Sequence, residues 1–516
     1  MRWFRGVATT ALFAAVAQTA VAAPAAAAAS SSQHLNKRYI EEREGISYNV
    51  FEHYETGSKM SFVKNSGVCE TTPGVNQYSG YLEVGKNMSM WFWFFEARSK
   101  PAEAPLVTWF NGGPGCSSMI GLFQEHGPCQ FYNNETEPSL NPYSWNNYAN
   151  MLYVDQPIGT GFSYGSDPVN STVTAAPYVW NLLQAFYASF PEYACRDFGI
   201  FTESYGGHYG PESAHYIQAQ NAAIDAGAAT GEKLQLKAVG INNGWFDSTI
   251  QERAGIEFAA GNSYRPLINA STAAQLYDVF ETRCKPALDK CVATGGDAAC
   301  ADADSICIRE IDNPIAAITD FDTYDIRQPS KDAFPPETYV DYLHRPDVMR
   351  KIGAKVQYQE CPNAPYEKFS RTGDVNETTD ARSFLDTLSE VVRTGIQVLL
   401  WAGDADYICN WMGGLHVADA VAYPNTTQFN EAGMEPYEVA GVAKGTFKTA
   451  GNLSFLRVFE AGHEVPYYPC SLDMVMQLGL DVALVPPDPV CDGADGQADD
   501  DEDGDVELLH GSCSYQ

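Results

Sequence analysis

The sequence predicts an α/β protein with a central mixed, mostly parallel sheet and an inserted, disulfide-stapled cap, and three observations predict it. Four apolar, β-rich segments each run into a loop of unusual composition: "APLVTWFNGGPGCSS" at Asn111, "NMLYVDQPIGTGFSY" at Asp155, "IQVLLWAGDADYICN" at Gly403 and "LSFLRVFEAGHEVPYY" at Ala461. Helical stretches such as "YVWNLLQAFYASF" lie between them, and this alternation packs helices on a sheet whose C-terminal strand ends collect ligands. Residues 246–340 break the rhythm, with Cys284, Cys291, Cys300 and Cys307 in a Gly/Ala/Asp-rich setting that reads as the cap. The core then falls into two parts, 39–245 and 341–490.

The N-terminus has Arg2 and Arg5, an apolar run from Val7, and Ala20-Val21-Ala22 as a small-x-small cleavage site. Residues 1–22 therefore read as a secretory signal peptide. Lys37-Arg38 is a dibasic pair that would close a pro-segment over 23–38. Thirteen cysteines in an exported chain imply disulfides, with an odd thiol left over. Seven sequons, at Asn87, Asn134, Asn170, Asn269, Asn376, Asn425 and Asn452, suit passage through the secretory route. The expected location is extracellular, with the vacuole as the alternative.

The formal net charge of −33 argues against a general affinity for nucleic acid or an anionic membrane. Nine acids without a Lys or Arg lie between Cys491 and Gln516, an acidic tail over 491–516 that reads as disordered. The other 24 excess charges suit a protein that works in acid, where protonation of carboxylates relieves self-repulsion. No zinc-spaced CxxC pair, HExxH or Walker loop occurs, so neither a metal nor another cofactor is expected.

The stretch "DFGIFTESYGGHYGPESAHY" carries the chemistry. Phe198, Ile200 and Phe201 read as a buried strand, Gly206 and Gly207 permit a sharp turn, and Pro211 opens a helix. Ser204 thus stands on a strand-to-helix corner that lifts its hydroxyl out of the sheet, although Thr202 replaces the first glycine of the Gly-x-Ser-x-Gly elbow. A serine nucleophile needs a base and an acid that orients it. His463 follows one strand, and Asp404 and Asp406 follow another. The chain order Ser, Asp, His is the one an α/β-hydrolase topology requires. The residue after the nucleophile, Tyr205, fits one of the two backbone donors of an oxyanion hole.

Four motifs, "NGGPGCSS", "ESYGGHYGP", "AGDADYICNW" and "AGHEVPYY", resemble the serine carboxypeptidases, most closely the extracellular fungal carboxypeptidase S1 type, over roughly residues 45–480. The resemblance implies Ser204 as nucleophile, His463 as base and Asp406 as triad acid, with Asp404 capping the loop. It implies Gly113 as the second oxyanion donor, and Asn111, Gly112, Glu125 and Glu203 as the groups that hold the substrate's terminal carboxylate. Two glutamates facing a carboxylate must keep at least one proton, which implies an acid enzyme. Peptide and protein C-termini are the implied partners.

The resemblance also implies a Cys116–Cys361 bridge, and it matches Cys409 to a position that is an unpaired thiol in some relatives. The four cap cysteines admit Cys284–Cys307 with Cys291–Cys300, and two other pairings. The partners of Cys69, Cys129, Cys195, Cys470, Cys491 and Cys513 stay open. Glu464 stands where relatives that favour apolar terminal residues often carry methionine, so the resemblance implies a specificity residue that pairs with a terminal Lys or Arg. An esterase or acyltransferase on the same triad, and a non-catalytic binding protein, are the competing readings.

Overall fold

A computed structural model describes residues 36–468 apart from 54–57, 133–134, 167, 319, 331–334, 375–380 and 440. The expected signal peptide, most of the pro-segment, the acidic tail, the sequons Asn134 and Asn376, and Cys470, Cys491 and Cys513 lie outside the described residues.

Thirteen strands form the path of the 14-stranded main sheet: β1 (Lys37–Arg43), β2 (Ile46–Glu52), β3 (Lys59–Lys64), β4 (Gln77–Gly85), β5 (Met88–Phe95), β6 (Leu106–Phe110), β7 (Asn150–Asp155), β8 (Asp197–Glu203), β9 (Gln235–Asn242), β10 (Gln397–Gly403), β11 (Glu435–Val439), β12 (Val442–Ala450) and β13 (Leu453–Val458), and the short strand Tyr164–Gly165 pairs with β5 off that path. Their spatial order is β1-β2-β3-β4-β5-β7-β6-β8-β9-β10-β13-β12-β11. The six strands from β7 to β13 in that order are parallel neighbours, and the strands on either flank pair antiparallel. The sheet is therefore mixed and mostly parallel at its centre, and the loops after β6, β8, β9, β10 and β13 share one rim.

The buried strands are apolar on both faces because helices cover both. In β5, Met90, Phe92 and Phe94 enter one core cluster while Trp91, Trp93 and Phe95 enter the other, the two-residue period of a strand. The helix α1 (Thr172–Ser189) starts from a capping box at Ser171 and Thr174, and α2 (Gly206–Asp225) follows the serine corner directly.

The helix α3 (Ser248–Gly261) leads into α4 (Ala270–Val279), α5 (Lys285–Thr294) and α6 (Asp297–Cys307). Two nested disulfides, Cys284–Cys307 and Cys291–Cys300, staple α5 and the turn before it to α6, and all four cysteines belong to a third apolar cluster with Ile311, Ile315 and Phe321. A small α-helical unit that buries little on its own is thereby closed by short loops. Although it falls inside 246–340, α3 packs on the core helix Trp411–Ala420: a Cβ at Gly413 would stand 3.1 Å from Gln251 Cγ. Two further bridges, Cys69–Cys129 and Cys116–Cys361, lie in the core; the second clips the glycine-rich loop to residue 361. Cys409 is a buried thiol.

Lys37 and Arg38 belong to β1, in register with Glu52 and Phe51 of β2. The Arg38 guanidinium donates to the carbonyls of Ala188 and Ser189 at the end of α1 and lies 4.7 Å from the Phe51 ring centroid. Proteolysis between this pair and Tyr39 therefore requires the strand edge to open. Of the described sequons, Asn87, Asn170 and Asn269 are exposed, and Asn425 is partly exposed. Asn452 differs, because its amide nitrogen donates to the carbonyls of both Val392 and Ile396, at 2.8 and 2.5 Å. A glycan on that nitrogen would remove one of the two bonds.

Candidate active site

The strand β8 ends at Glu203, and Ser204 takes φ 61°, the left-handed region that a non-glycine residue occupies only at about 1–3 kcal/mol when its surroundings enforce it. Backbone bonds enforce it here. Ser204 N–H donates to the Asn242 carbonyl at 3.0 Å, and the Ser204 carbonyl accepts from Trp245 N–H at 2.9 Å. Thr202, the departure from the elbow pattern, fits because residue 206 is glycine: a Cβ there would lie 2.5 Å from Thr202 Cβ, and the threonine hydroxyl instead donates to the Gly206 carbonyl.

Neighbouring asparagines at the end of β9 tie the other two sequence candidates to this corner. The Asn242 side chain donates to the His463 carbonyl at 2.8 Å, while Asn243 donates to Asp406 Oδ2 at 2.6 Å. His463 Nδ1 lies 2.9 Å from Asp406 Oδ2, and both side chains are almost fully buried. The same carboxylate accepts from the backbone N–H groups of Ile408 and Cys409. Burial raises the Asp406 pKa against the pull of His463. For His463, burial lowers the pKa, but the Asp406 charge and hydrogen bond outweigh it and the net shift is upward. The Tyr324 ring stands edge-on to the imidazole at 4.9 Å. Cys409 brings its sulfur within 4.8 Å of the facing Asp406 and His463 ligand atoms.

Asp404 points elsewhere. It accepts from Tyr264 O–H at 2.5 Å, from Glu460 N–H at 2.9 Å and from the Arg457 guanidinium at 2.9 Å, so it knots the loops after β10 and β13.

The glycine-rich loop after β6 meets the serine corner edge to edge. A Cβ at Gly112 would stand 2.6 Å from Tyr205 N and 2.8 Å from Ser204 Cβ, so only glycine permits this approach, and Gly113 follows at φ 108°. Asn111 is fixed in orientation. Its Oδ1 accepts from Trp109 Nε1 at 2.7 Å and Gly121 N–H at 2.9 Å, and its amide nitrogen therefore faces Glu125 at 3.0 Å and Glu203 at 3.1 Å. The two glutamates are buried, and the Asn111 amide donates to both. Burial raises both pKa values. The Glu203 charge pushes Glu125 higher still, whereas His463 restrains Glu203. Glu464, next to His463, is partly exposed; burial and then the Glu203 charge raise its pKa well above the ordinary value, and its Oε2 is enclosed without a hydrogen bond.

The sequence reading passed over one supporting group, the Asn242-Asn243 pair, and marked Asp155 as a strand end without giving it a role. The Asn242-Asn243 pair follows an apolar strand in the same way as the four segments that were singled out, so the same signal marks it. Asp155 accepts from Ser117 Oγ at 2.6 Å, Ser118 N–H at 3.1 Å and Phe162 N–H at 2.8 Å, which joins the glycine-rich loop to the loop after β7. A small pocket also opens beside Trp245, between α3 and the loop after β10, with Glu252, Asp312, Thr323 and Tyr407 among its walls.

A serine on a strained strand-to-helix corner, a buried Asp–His pair on the same rim and a mostly parallel sheet define the class: an α/β hydrolase. The family model for serine carboxypeptidases matches residues 67–478, and the chain belongs to that family. It is 63% identical to carboxypeptidase S1 of Penicillium janthinellum over 79% of this chain and 95% of that one. It is 34% identical to the vacuolar serine-type carboxypeptidase ATG42 of Saccharomyces cerevisiae over 78% of each chain. Among solved structures, the fold is similar to KEX1(DELTA)P, a prohormone-processing carboxypeptidase from Saccharomyces cerevisiae, with a TM-score of 0.68 at 24% identity over 80% of this chain and 92% of that one. Among the described residues, no helix is long and apolar enough to cross a membrane.

Proposed function

We propose that this chain is an acid serine carboxypeptidase that removes single C-terminal residues through an acyl-enzyme formed on Ser204. The observation that carries this reading is the buried Asn111–Glu125–Glu203 cluster, which ends one residue before the serine. An esterase has no use for it. In this mechanism, His463 Nε2 takes the Ser204 hydroxyl proton as Oγ bonds to the scissile carbonyl carbon. The carbonyl oxygen becomes an oxyanion held by the N–H groups of Gly113 and Tyr205. Collapse breaks the C–N bond, His463 returns the proton to the leaving amine, and water repeats the sequence to free the acyl group. Asp406 keeps the imidazole in one tautomer and stabilises its positive charge.

Asn111, Gly112 and the proton shared by Glu125 and Glu203 receive the substrate carboxylate. When the shared proton leaves, the pair becomes two anions facing a third. KM for a blocked dipeptide therefore rises as pH goes from about 5 to 7, while its C-terminal amide, which brings no charge, responds less. Kinetics on the matched pair check this, and equal KM profiles would remove the carboxylate role.

Glu464 faces the departing residue in this reading. It holds its proton in the empty site, and an incoming guanidinium or ammonium draws the carboxyl into its ionised form, for about 1–3 kcal/mol of preference. Glu464→Met is expected to lower the Arg-to-Leu ratio of kcat/KM at the terminal position by about 10-fold or more. A series of blocked dipeptides that differ only in that residue measures the ratio. The signal-like N-terminus fits secretion.

A further inference from the structure

Tyr205 is held at two places. Its backbone N–H stands at the crossing with Gly112, and its phenol reaches away from the rim to the first residue of α1. There the Tyr205 O–H donates to Asp374 Oδ2 at 3.0 Å and lies 2.8 Å from Thr172 Oγ1. The same Asp374 oxygen accepts the Thr172 N–H at 2.5 Å, so one buried carboxylate oxygen joins the start of α1 to the residue after the serine. Asp374, Thr172 and Tyr205 are 1%, 1% and 3% exposed, and the Tyr205 ring is packed edge-on against Tyr209 at 4.9 Å. The opposite side of the corner is pinned by backbone bonds to Asn242 and Trp245. On the helix side the Tyr205 carbonyl accepts from His208 N–H at 2.9 Å, and the phenol adds a side-chain anchor to these backbone bonds.

We propose that Asp374 is a positioning residue for the reaction: by holding the Tyr205 phenol it fixes the direction of the Tyr205 N–H at the place where the oxyanion forms. This rests on the acyl-enzyme reading above. A carboxyl group suits the task because one of its oxygens accepts both donors, and full burial removes competing water. Loss of a whole oxyanion donor lowers kcat by about 100- to 1000-fold, so a donor that is present but misdirected loses a fraction of that.

The test uses Asp374→Ala, Tyr205→Phe, their combination and Asp374→Asn. Rates are expressed per site titrated with an organophosphonate, so that unfolded protein does not count. Asp374→Ala and Tyr205→Phe are each expected to lower kcat about 10- to 100-fold with KM within about twofold. The double variant falls no further than the worse single, because both remove one link. Asp374→Asn keeps an acceptor oxygen at the same place and recovers most of kcat. Unchanged kcat per titrated site in Asp374→Ala and Tyr205→Phe, with only a lowered Tm, overturns the proposal, as do losses that multiply in the double variant. If Asp374→Ala yields no folded protein, Tyr205→Phe decides alone. Failure of the phosphonate to label Ser204 in the unaltered enzyme would instead defeat the acyl-enzyme reading, and the two failures are thereby distinguished.

Discussion

Ser204→Ala is expected to lower kcat by about 10⁴- to 10⁶-fold while the fold remains. The corner is held by backbone bonds, from Ser204 N–H to Asn242 and from Trp245 N–H to the Ser204 carbonyl, and alanine keeps both. Only the hydroxyl is lost, and in the proposed mechanism that hydroxyl is the nucleophile. Circular dichroism and the unfolding midpoint verify the fold, and steady-state kinetics on a blocked dipeptide give the rate. A serine-directed phosphonate should label the unaltered enzyme once, at the peptide that contains Ser204, and should leave the variant unlabelled. Full activity in the alanine variant would end the serine mechanism.

The second large effect is on stability. Asp155 is fully buried, and burial raises its pKa from 3.8 to about 7, although Ser117, Phe162 and Ser118 donate to it. Above pH 4 the unfolded chain releases this proton while the native state retains it. The native state therefore binds more protons across the window from about 4 to about 7, and stability falls as pH rises through it. At about 1.4 kcal/mol for each pKa unit, the loss from Asp155 alone is on the order of 4 kcal/mol by pH 8. Glu125, Glu203, Glu360, Glu464, Asp374 and Asp406 are shifted upward as well and slope the same way. Buried His126 and His208, whose pKa values burial lowers, slope the opposite way below about pH 6.5, so the Asp155 contribution is read as the difference between the unaltered protein and a variant without this carboxyl. Denaturant unfolding at pH 4 to 8 measures the slope. Asp155→Asn, which does not titrate, should flatten it, and an unaltered slope would show that Asp155 is not its source.

Much of this site is legible in one dimension because strand ends are. A buried parallel strand must be apolar throughout, and the loop that leaves it must change composition abruptly, so Asn111, Asp155, Asp404 and the residues before His463 mark themselves. Glycines that permit close approach are visible for a similar reason: Gly112 and Gly206 stand where a Cβ would meet Ser204 and Thr202. The polar partners were not marked. Glu125 sits on a short buried turn at Gly121–Glu125, and no local pattern separates it from the exposed glutamates of the chain until Asn111 and Glu203 are seen beside it. The resemblance to a known family named it; periodicity did not.

The chain by itself determined the layers, the inserted helical unit, the serine corner and the chain order of Ser204, Asp406 and His463, because hydrophobic period and turn chemistry are local properties. Tertiary structure decided which groups touch. Asp404 and Asp406 share a loop and a residue type, but the pleat and turn after β10 send one to Arg457 and the other to His463. Cys69 and Cys129 lie 60 residues apart and pair because their strands and loops converge at 5.2 Å between Cα atoms. Asp374 meets Tyr205 across 169 residues. The pKa shifts of Asp155, Glu125 and Glu203 arise from burial and from charges brought together by folding. Contacts between residues distant in the chain are set by how whole elements pack, and a single sequence carries no local signal for them.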